Sequence, residues 1–238
     1  MTKEEFYDSI LISDEEKESA EKFIYSKGLM KHVFIRDRIS VWDNNDIVDY
    51  SKIASTYRYD KRIRFVLFKY ISYLEEFYRS LILDEYIVNT NQTFWIKEIK
   101  EELVQYNNDL NKVLEAIDFK SLLQQIKKLP NNLKKFLFLP KEHLNINLNA
   151  LRVFRNTVMH NKFLVLYRGF EVCYVNGVDN GKSASLKANI LNLINFLPNG
   201  PKEKCIVDIN ECILNKNDQD DVKWNLPKEI IIKINKVK

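Results

Sequence analysis

Glycine and proline are both scarce in this chain, at five residues each in 238. So few chain-breaking residues fit long helices better than a β-sandwich with many tight turns. Cysteine is scarcer, at three residues (Cys173, Cys205 and Cys212), an odd number with no C-x-x-C pair. That excludes a disulfide framework and points to a reduced, cytoplasmic protein whose thiols are packed or idle. No run of 18 apolar residues occurs, so no membrane-spanning helix and no membrane partner are expected. The N-terminus, Met1 to Glu5 followed by an acidic stretch, lacks the basic-then-apolar order of a secretory signal.

What is present describes a globular chain. Hydrophobic residues make up 45% and charged residues 29%, enough apolar matter for a real core and too much for disorder. The length suits one elaborated domain or two small ones. A net charge of +4 permits a polyanionic partner without requiring one.

Ser13-Asp14-Glu15-Glu16 has the form of a capping box, a hydroxyl N-cap with a carboxylate three residues on. It opens a helix expected to reach residue 26 and stop at Gly28. A short element over 31–41, a loop at 43–46 and a helix over 47–56 follow. The clearest pattern spans 60–86, where Ile63, Leu67, Tyr70, Ile71, Leu74, Tyr78 and Leu81 recur at helical spacing without a Gly or Pro. Further helices are expected over 94–105, 107–117, 120–129 and 147–161, with breaks at Pro130 and Pro140. The texture then changes. Residues 163–167 and 170–175 flank Arg168-Gly169 and read as a β-hairpin. Residues 176–183 read as a loop, 186–196 as a helix, and Pro198-Asn199-Gly200-Pro201 as a break. Residues 205–214 fit helix or strand equally, and 229–234 alternate too weakly to assign. The expected fold is mainly α: a helical domain over 1–162, with a small irregular extension over 163–238, containing the hairpin and packed on the bundle.

One stretch stands out chemically: Arg155-Asn156-Thr157-Val158-Met159-His160. It joins a fixed cation, an amide able to orient its neighbours and the one side chain that titrates near neutrality. Those groups suffice to break a phosphodiester without a metal. On an ideal helix Asn156 and His160 share a face roughly opposite the stripe of Leu151, Phe154 and Val158. Arg155 precedes His160 by five residues. That spacing is about 140° of rotation and puts Arg155 near the edge of the apolar stripe. One ideal helix therefore does not bring Arg155 and His160 together. Either the helix distorts, or two copies face each other and form a composite site at a symmetric dimer interface. The plain alternative is a surface histidine with no task.

Other features carry less. Glu75 and Arg79, at i and i+4, are either a surface pair or a brace for the site from a neighbouring helix. Asn180-Gly181-Lys182-Ser183 is similar to the end of a phosphate-binding loop, but Asn176 stands where that loop needs its first glycine, so it reads as a plain turn. Asp218, Asp220 and Asp221 read as a solvated loop, and His32 and His143 have no ligand partner at metal-binding spacing. No metal or cofactor is expected. Asn91-Gln92-Thr93 matches a glycosylation sequon without meaning in a cytoplasmic chain.

Two separated motifs carry a family resemblance. Tyr57-Arg58-Tyr59-Asp60-Lys61-Arg62-Ile63-Arg64 gives an aromatic-x-aromatic-Asp followed by Ile-Arg. Ile71-Ser72-Tyr73-Leu74-Glu75-Glu76-Phe77-Tyr78-Arg79 then supplies the Glu and Arg four apart. Together these resemble the signature region of the Abi (abortive infection) family, the AbiD/AbiF-like group. Arg155-Asn156-Thr157-Val158-Met159-His160 resembles the R-x4-H motif of the HEPN superfamily. The resemblance implies a HEPN-like helical bundle, a homodimer with its two motifs juxtaposed, and a metal-independent endoribonuclease of phage defence or toxin–antitoxin systems. It implies Arg155, Asn156 and His160 as catalytic residues, with Glu75 and Arg79 as supporting residues; Arg152 and Lys162 are further candidates for supporting or RNA-binding roles. The implied partners are an RNA substrate and a small structured RNA acting as antitoxin or guide. Some family members carry a modifiable tyrosine two places after the histidine. Here that place is Lys162, and such control is not expected.

The chemistry of these groups is compatible with that implication. RNA carries its own nucleophile, the 2′-OH, so a protein has only to align it, move protons and stabilise the phosphorane. His160 would move the proton, Arg155 would neutralise the growing charge, and Asn156 would hold the imidazole or a phosphate oxygen. The alternatives are a non-catalytic RNA-binding scaffold and a helical module that binds another protein.

Overall fold

The computed structural model describes residues 1–88, 95–129, 143–176, 181–214 and 224–235, and for residues 85–88 their backbone alone. The sequon at Asn91, the breaks at Pro130 and Pro140, Asn180 of the loop-like stretch and the acidic loop at Asp218 to Asp221 lie outside the described residues. The unbroken apolar stripe forms the longest element among the described residues. This is α4 (Tyr50–Val88), 39 residues long. The helices expected over 47–56 and 60–86 are one. Nothing at Tyr57-Arg58-Tyr59 breaks the chain, and the Tyr59 ring is fully buried. Ile63, Leu67, Ile71, Leu74, Tyr78 and Ile82 are buried along it, and Ile82 takes the last place in the stripe that the pattern gave to the half-buried Leu81.

The described residues are mainly helical, with strands only two residues long. They fall into two compact units, each drawn from separated segments. Residues 1–65, 163–166 and 207–235 contribute to the first, and 66–162 with 167–206 to the second. The expected boundary after residue 162 is thus one of several places where the chain passes between units, and α4 contributes to both.

In the first unit, α1 (Lys3–Asp8) is closed by a reciprocal capping box between Thr2 and Glu5. Strand β1 (Ile10–Leu11) follows, then α2 (Asp14–Lys27), where Ser13 accepts from Glu16 N as the sequence pattern requires. Gly28, at φ +90°, ends α2 and starts α3 (Leu29–Asp43), a conformation costly for any other residue. Strand β2 (Val48–Asp49) pairs in parallel with β1, seating Ile10 against Val48. His32 is fully buried here. Its ring stacks on Tyr57 at 5.8 Å, meets Phe23 edge-on at 5.6 Å, and its Nδ1 donates to Gly28 O at 3.0 Å.

Two α4 side chains hold chain segments that have no regular structure of their own. Asp60, fully buried, accepts from Val165 N at 3.0 Å and from Arg64 Nη2 at 2.8 Å. Tyr59 Oη accepts from Ile232 N at 2.9 Å. The first contact corrects the expected hairpin. Residues 163–167 form no strand, because the Val165 N–H that would enter a ladder is taken by the Asp60 carboxylate.

In the second unit, α5 (Lys97–Gln105), α6 (Leu110–Ala116) and α7 (Phe119–Lys128) follow the expected spacing, with Asp109 and Asp118 as N-caps of the last two. Next come α8 (Leu144–Met159), β3 (Cys173–Tyr174), β4 (Lys182–Ser183) and α9 (Leu186–Phe196). The antiparallel pair is β3 with β4, so residues read as a loop supply the second strand. Buried amides join these pieces. Asn147 exchanges two hydrogen bonds with the Tyr174 backbone, and Asn192 donates to Asn147 O at 2.8 Å. Part of the C-terminal extension thereby packs on α8.

Helix α10 (Asn199–Asn210) corrects the break expected at 198–201. Pro201 lies in its first turn, where a missing N–H costs no helical hydrogen bond. The ambiguous stretch 205–214 is helical, finishing as a 3-10 turn at Glu211–Ile213. All three cysteines are buried and unbridged. No described helix is long and apolar enough to cross a membrane.

Candidate functional site

The site is built on α8. Leu148, Leu151, Phe154 and Val158 bury one face of the helix, as their spacing requires. Arg155 falls at the edge of that face and is held on two sides. Its Nε donates to Glu75 Oε1 of α4 at 2.8 Å, and its guanidinium carbon sits 5.6 Å from the centre of the Phe119 ring. Glu75 is 16% exposed and Arg155 30%, so this is a partly desolvated pair. Arg79, one turn along α4, reaches the other oxygen of Glu75 at 4.0 Å and donates to Ile117 O at 3.4 Å. Its Nη1 is buried and has no protein partner among the described residues. Two guanidinium groups therefore share the carboxylate of Glu75.

These groups line a groove of about 560 Å³ between α4, α6 and α8. Phe68, Leu83, Leu114 and Met159 form its apolar walls. Glu76 and Glu115 line it as well, so three carboxylates with Glu75 face two cations. By charge alone it suits a ligand with both an anionic group and hydrogen-bond donors.

Helix α8 ends at Met159, and the way it ends fixes His160. His160 N donates to Asn156 O, Asn161 N to Val158 O at 3.1 Å and Lys162 N to Thr157 O at 3.3 Å. Asn161 adopts φ +54°. This is a Schellman closure with asparagine in the place usually held by glycine. It stops the helix at the last residue of the motif and leaves the His160 side chain exposed. The distortion that would have brought Arg155 and His160 together within one helix is absent: α8 is helical through Met159.

The structure thus brings Arg155, Glu75 and Arg79 together, with Asn156 Oδ1 accepting from Arg155 Nη1 at 3.4 Å. It does not bring His160 into the groove. Arg152 points elsewhere, donating to Asn149 at 3.1 Å, and Lys162 lies against the Tyr167 ring at 5.0 Å. His143 stacks on Tyr174 at 3.8 Å and is accounted for by packing. Sequence reasoning missed Phe119, Glu76, Asn111 and Glu115. Only the i, i+4 spacing of Asn111 and Glu115 on α6 offered a signal, and it is shared by many solvated helix faces. Compared with known proteins, the chain matches no family model, no curated protein and no solved structure.

Proposed function

We propose that this protein is a metal-independent endoribonuclease of the HEPN type, acting in phage defence or as a toxin in the cytoplasm, and working as a homodimer. The observation that carries the reading is the holding of Arg155: Glu75 fixes its Nε edge and Phe119 one face, within a groove large enough for a nucleotide. A guanidinium so restrained meets developing phosphorane charge without first reorganising. The same helix ends in an exposed histidine, able to take the 2′-OH proton or protonate the departing 5′-oxygen. The products are then a 2′,3′-cyclic phosphate and a 5′-hydroxyl. Arg79 assists at the groove, Asn156 orients Arg155, and Arg152 and Lys162 attract the RNA backbone from outside it. A small structured RNA is the proposed restraint or guide.

His160 lies outside the groove of its own chain, so the reading calls on a second copy to bring the histidine to the arginine. Arg155→Ala and His160→Ala should each abolish cleavage of RNA in excess chelator, and growth inhibition, with unchanged circular dichroism. Mixing the two inactive proteins should restore roughly a quarter of wild-type activity, since half the dimers are mixed and each has one intact site. Cleavage persisting in His160→Ala refutes the assignment.

A second reading has its own support. Glu75 already neutralises Arg155, and carboxylates outnumber guanidinium groups in the groove. That balance leaves no free cation for phosphorane charge among the described groove residues, as in a helical scaffold that does not cut RNA and holds it only through cations outside the groove, Arg152 and Lys162. Salt-sensitive retention of RNA with no products in chelator favours this scaffold. Failure to retain RNA at low salt favours a protein-binding module.

A further inference from the structure

The groove holds a second, unassigned set of polar groups on the side of α6. Asn111 and Glu115 both line it, one helical turn apart on the same face of α6. At that separation their side-chain heads are about 5–6 Å apart at the Cβ atoms, wide enough to span a base edge. Both are exposed, and neither has a hydrogen-bond or ionic partner among the described residues. Phe68 of α4 lines the same groove and is 49% exposed, an apolar ring available for stacking.

We infer that Asn111 and Glu115 read guanine, so that the groove selects a guanosine nucleotide. Guanine presents one acceptor and two donors along its Watson–Crick edge. A carboxylate accepts from N1–H and from the N2 amino group together, and a neighbouring carboxamide donates to O6. Adenine offers a donor where guanine has an acceptor and an acceptor where it has a donor, so it leaves Glu115 facing a lone pair. Phe68 supplies the stacking face, which is indifferent to base identity. The phosphate goes to Arg155 and Arg79, two guanidinium groups that share the single carboxylate of Glu75. One bipolar ligand thus satisfies both the cationic and the acidic groups of the groove, which no simple anion does. The binding claim stands on this geometry, while its consequence, cleavage beside guanosine, rests on the ribonuclease reading.

The test titrates the full-length protein with guanosine, inosine and adenosine 5′-monophosphates by calorimetry, followed by Glu115→Ala and Asn111→Ala. Guanosine monophosphate should bind about tenfold or more tighter than the adenosine form. Inosine, which lacks the N2 amino group, should fall between them. Glu115→Ala should erase the preference while circular dichroism stays unchanged, as expected for an exposed position. Equal affinities, no binding of any nucleotide, or a preference that survives Glu115→Ala overturns the inference. Products mapped on a random-sequence RNA separate the two claims. Cleavage with no guanosine bias at the cut refutes base selection and leaves the nuclease standing. Guanosine-selective binding without cleavage does the reverse.

Discussion

Removing the Asp60 carboxylate should free the segment that follows the motif helix, and the size of the effect follows from its contacts. Asp60 is fully buried, accepts from Val165 N at 3.0 Å and pairs with Arg64 at 2.8 Å. In Asp60→Ala the Val165 N–H loses its acceptor, at a cost of about 1–3 kcal/mol, and a charge-assisted bond from Arg64 is lost as well. The sum is about 3–5 kcal/mol, the range for breaking one side of a buried ion pair. Asp60→Asn keeps an oxygen for Val165 and removes a buried charge, so about 1–2 kcal/mol is expected. Burial raises the Asp60 carboxyl above its usual range, against the opposing pull of Val165 N–H and Arg64. The folded chain therefore holds this proton more readily than the unfolded chain. The stability linked to it is complete below the unfolded value of 3.8 and is lost as pH rises through the folded one. The deficit of Asp60→Asn should thus be largest in acid and shrink toward neutrality. Urea unfolding from pH 3.5 to 7 gives the deficits, and amide exchange at Val165 reports the local contact, accelerating about a hundredfold in Asp60→Ala for 3 kcal/mol. Equal costs for Ala and Asn, or a cost below about 1 kcal/mol for Ala, would refute the reasoning.

His32 is held below its usual value by burial and by Lys31, with Gly28 O opposing. The unfolded chain takes that proton first, so stability should fall as pH drops below 6.5, and melting curves of His32→Phe should lack this slope. Burial pushes the Cys173 thiol up to about 12 and all three cysteines are enclosed, so native protein at pH 7.5 should leave an aromatic disulfide reagent unreacted until denaturant releases three thiols. A double-mutant cycle of Glu75→Gln and Arg155→Met should give a coupling of about 1–2 kcal/mol, since both groups are partly shielded. Additive effects on unfolding would show that the pair contributes nothing.

Much of the helical layout was legible because helical spacing is a local property. The stripe from Ile63 to Tyr78, the capping of α2 at Ser13 and the extent of α9 all follow from residues within a few turns of one another. What escaped depends on partners far along the chain. The pattern at 163–167 is a sound strand pattern, but Asp60, about a hundred residues earlier, claims its amide. β1 and β2 pair across 38 residues, too short and too distant to leave a periodic trace. At the site, the proximity of Glu75 and Arg155 was anticipated only as a brace from a neighbouring helix. Phe119 gave no sign, because a buried phenylalanine beside a guanidinium looks in sequence like any other core residue.

Rotation about α8 explains why Arg155 and His160, five residues apart in one motif, are divided in space. Five residues carry the chain about 140° round the helix, so when Arg155 faces the groove, position 160 faces away. A glycine-free αL residue, Asn161, then closes the helix at once, and the chain leaves before another turn could bring a side chain back. Extending α8 would not repair this, because rotation, not length, separates the two groups. Moving the histidine to position 159 would put it one helical turn from Arg155, where Met159 now lines the groove. The chain places an apolar methionine there and an exposed histidine one step further on. Under the proposed ribonuclease function that arrangement leaves each chain with half a site, and a second helix end must approach from outside to deliver its histidine to an arginine already held in place.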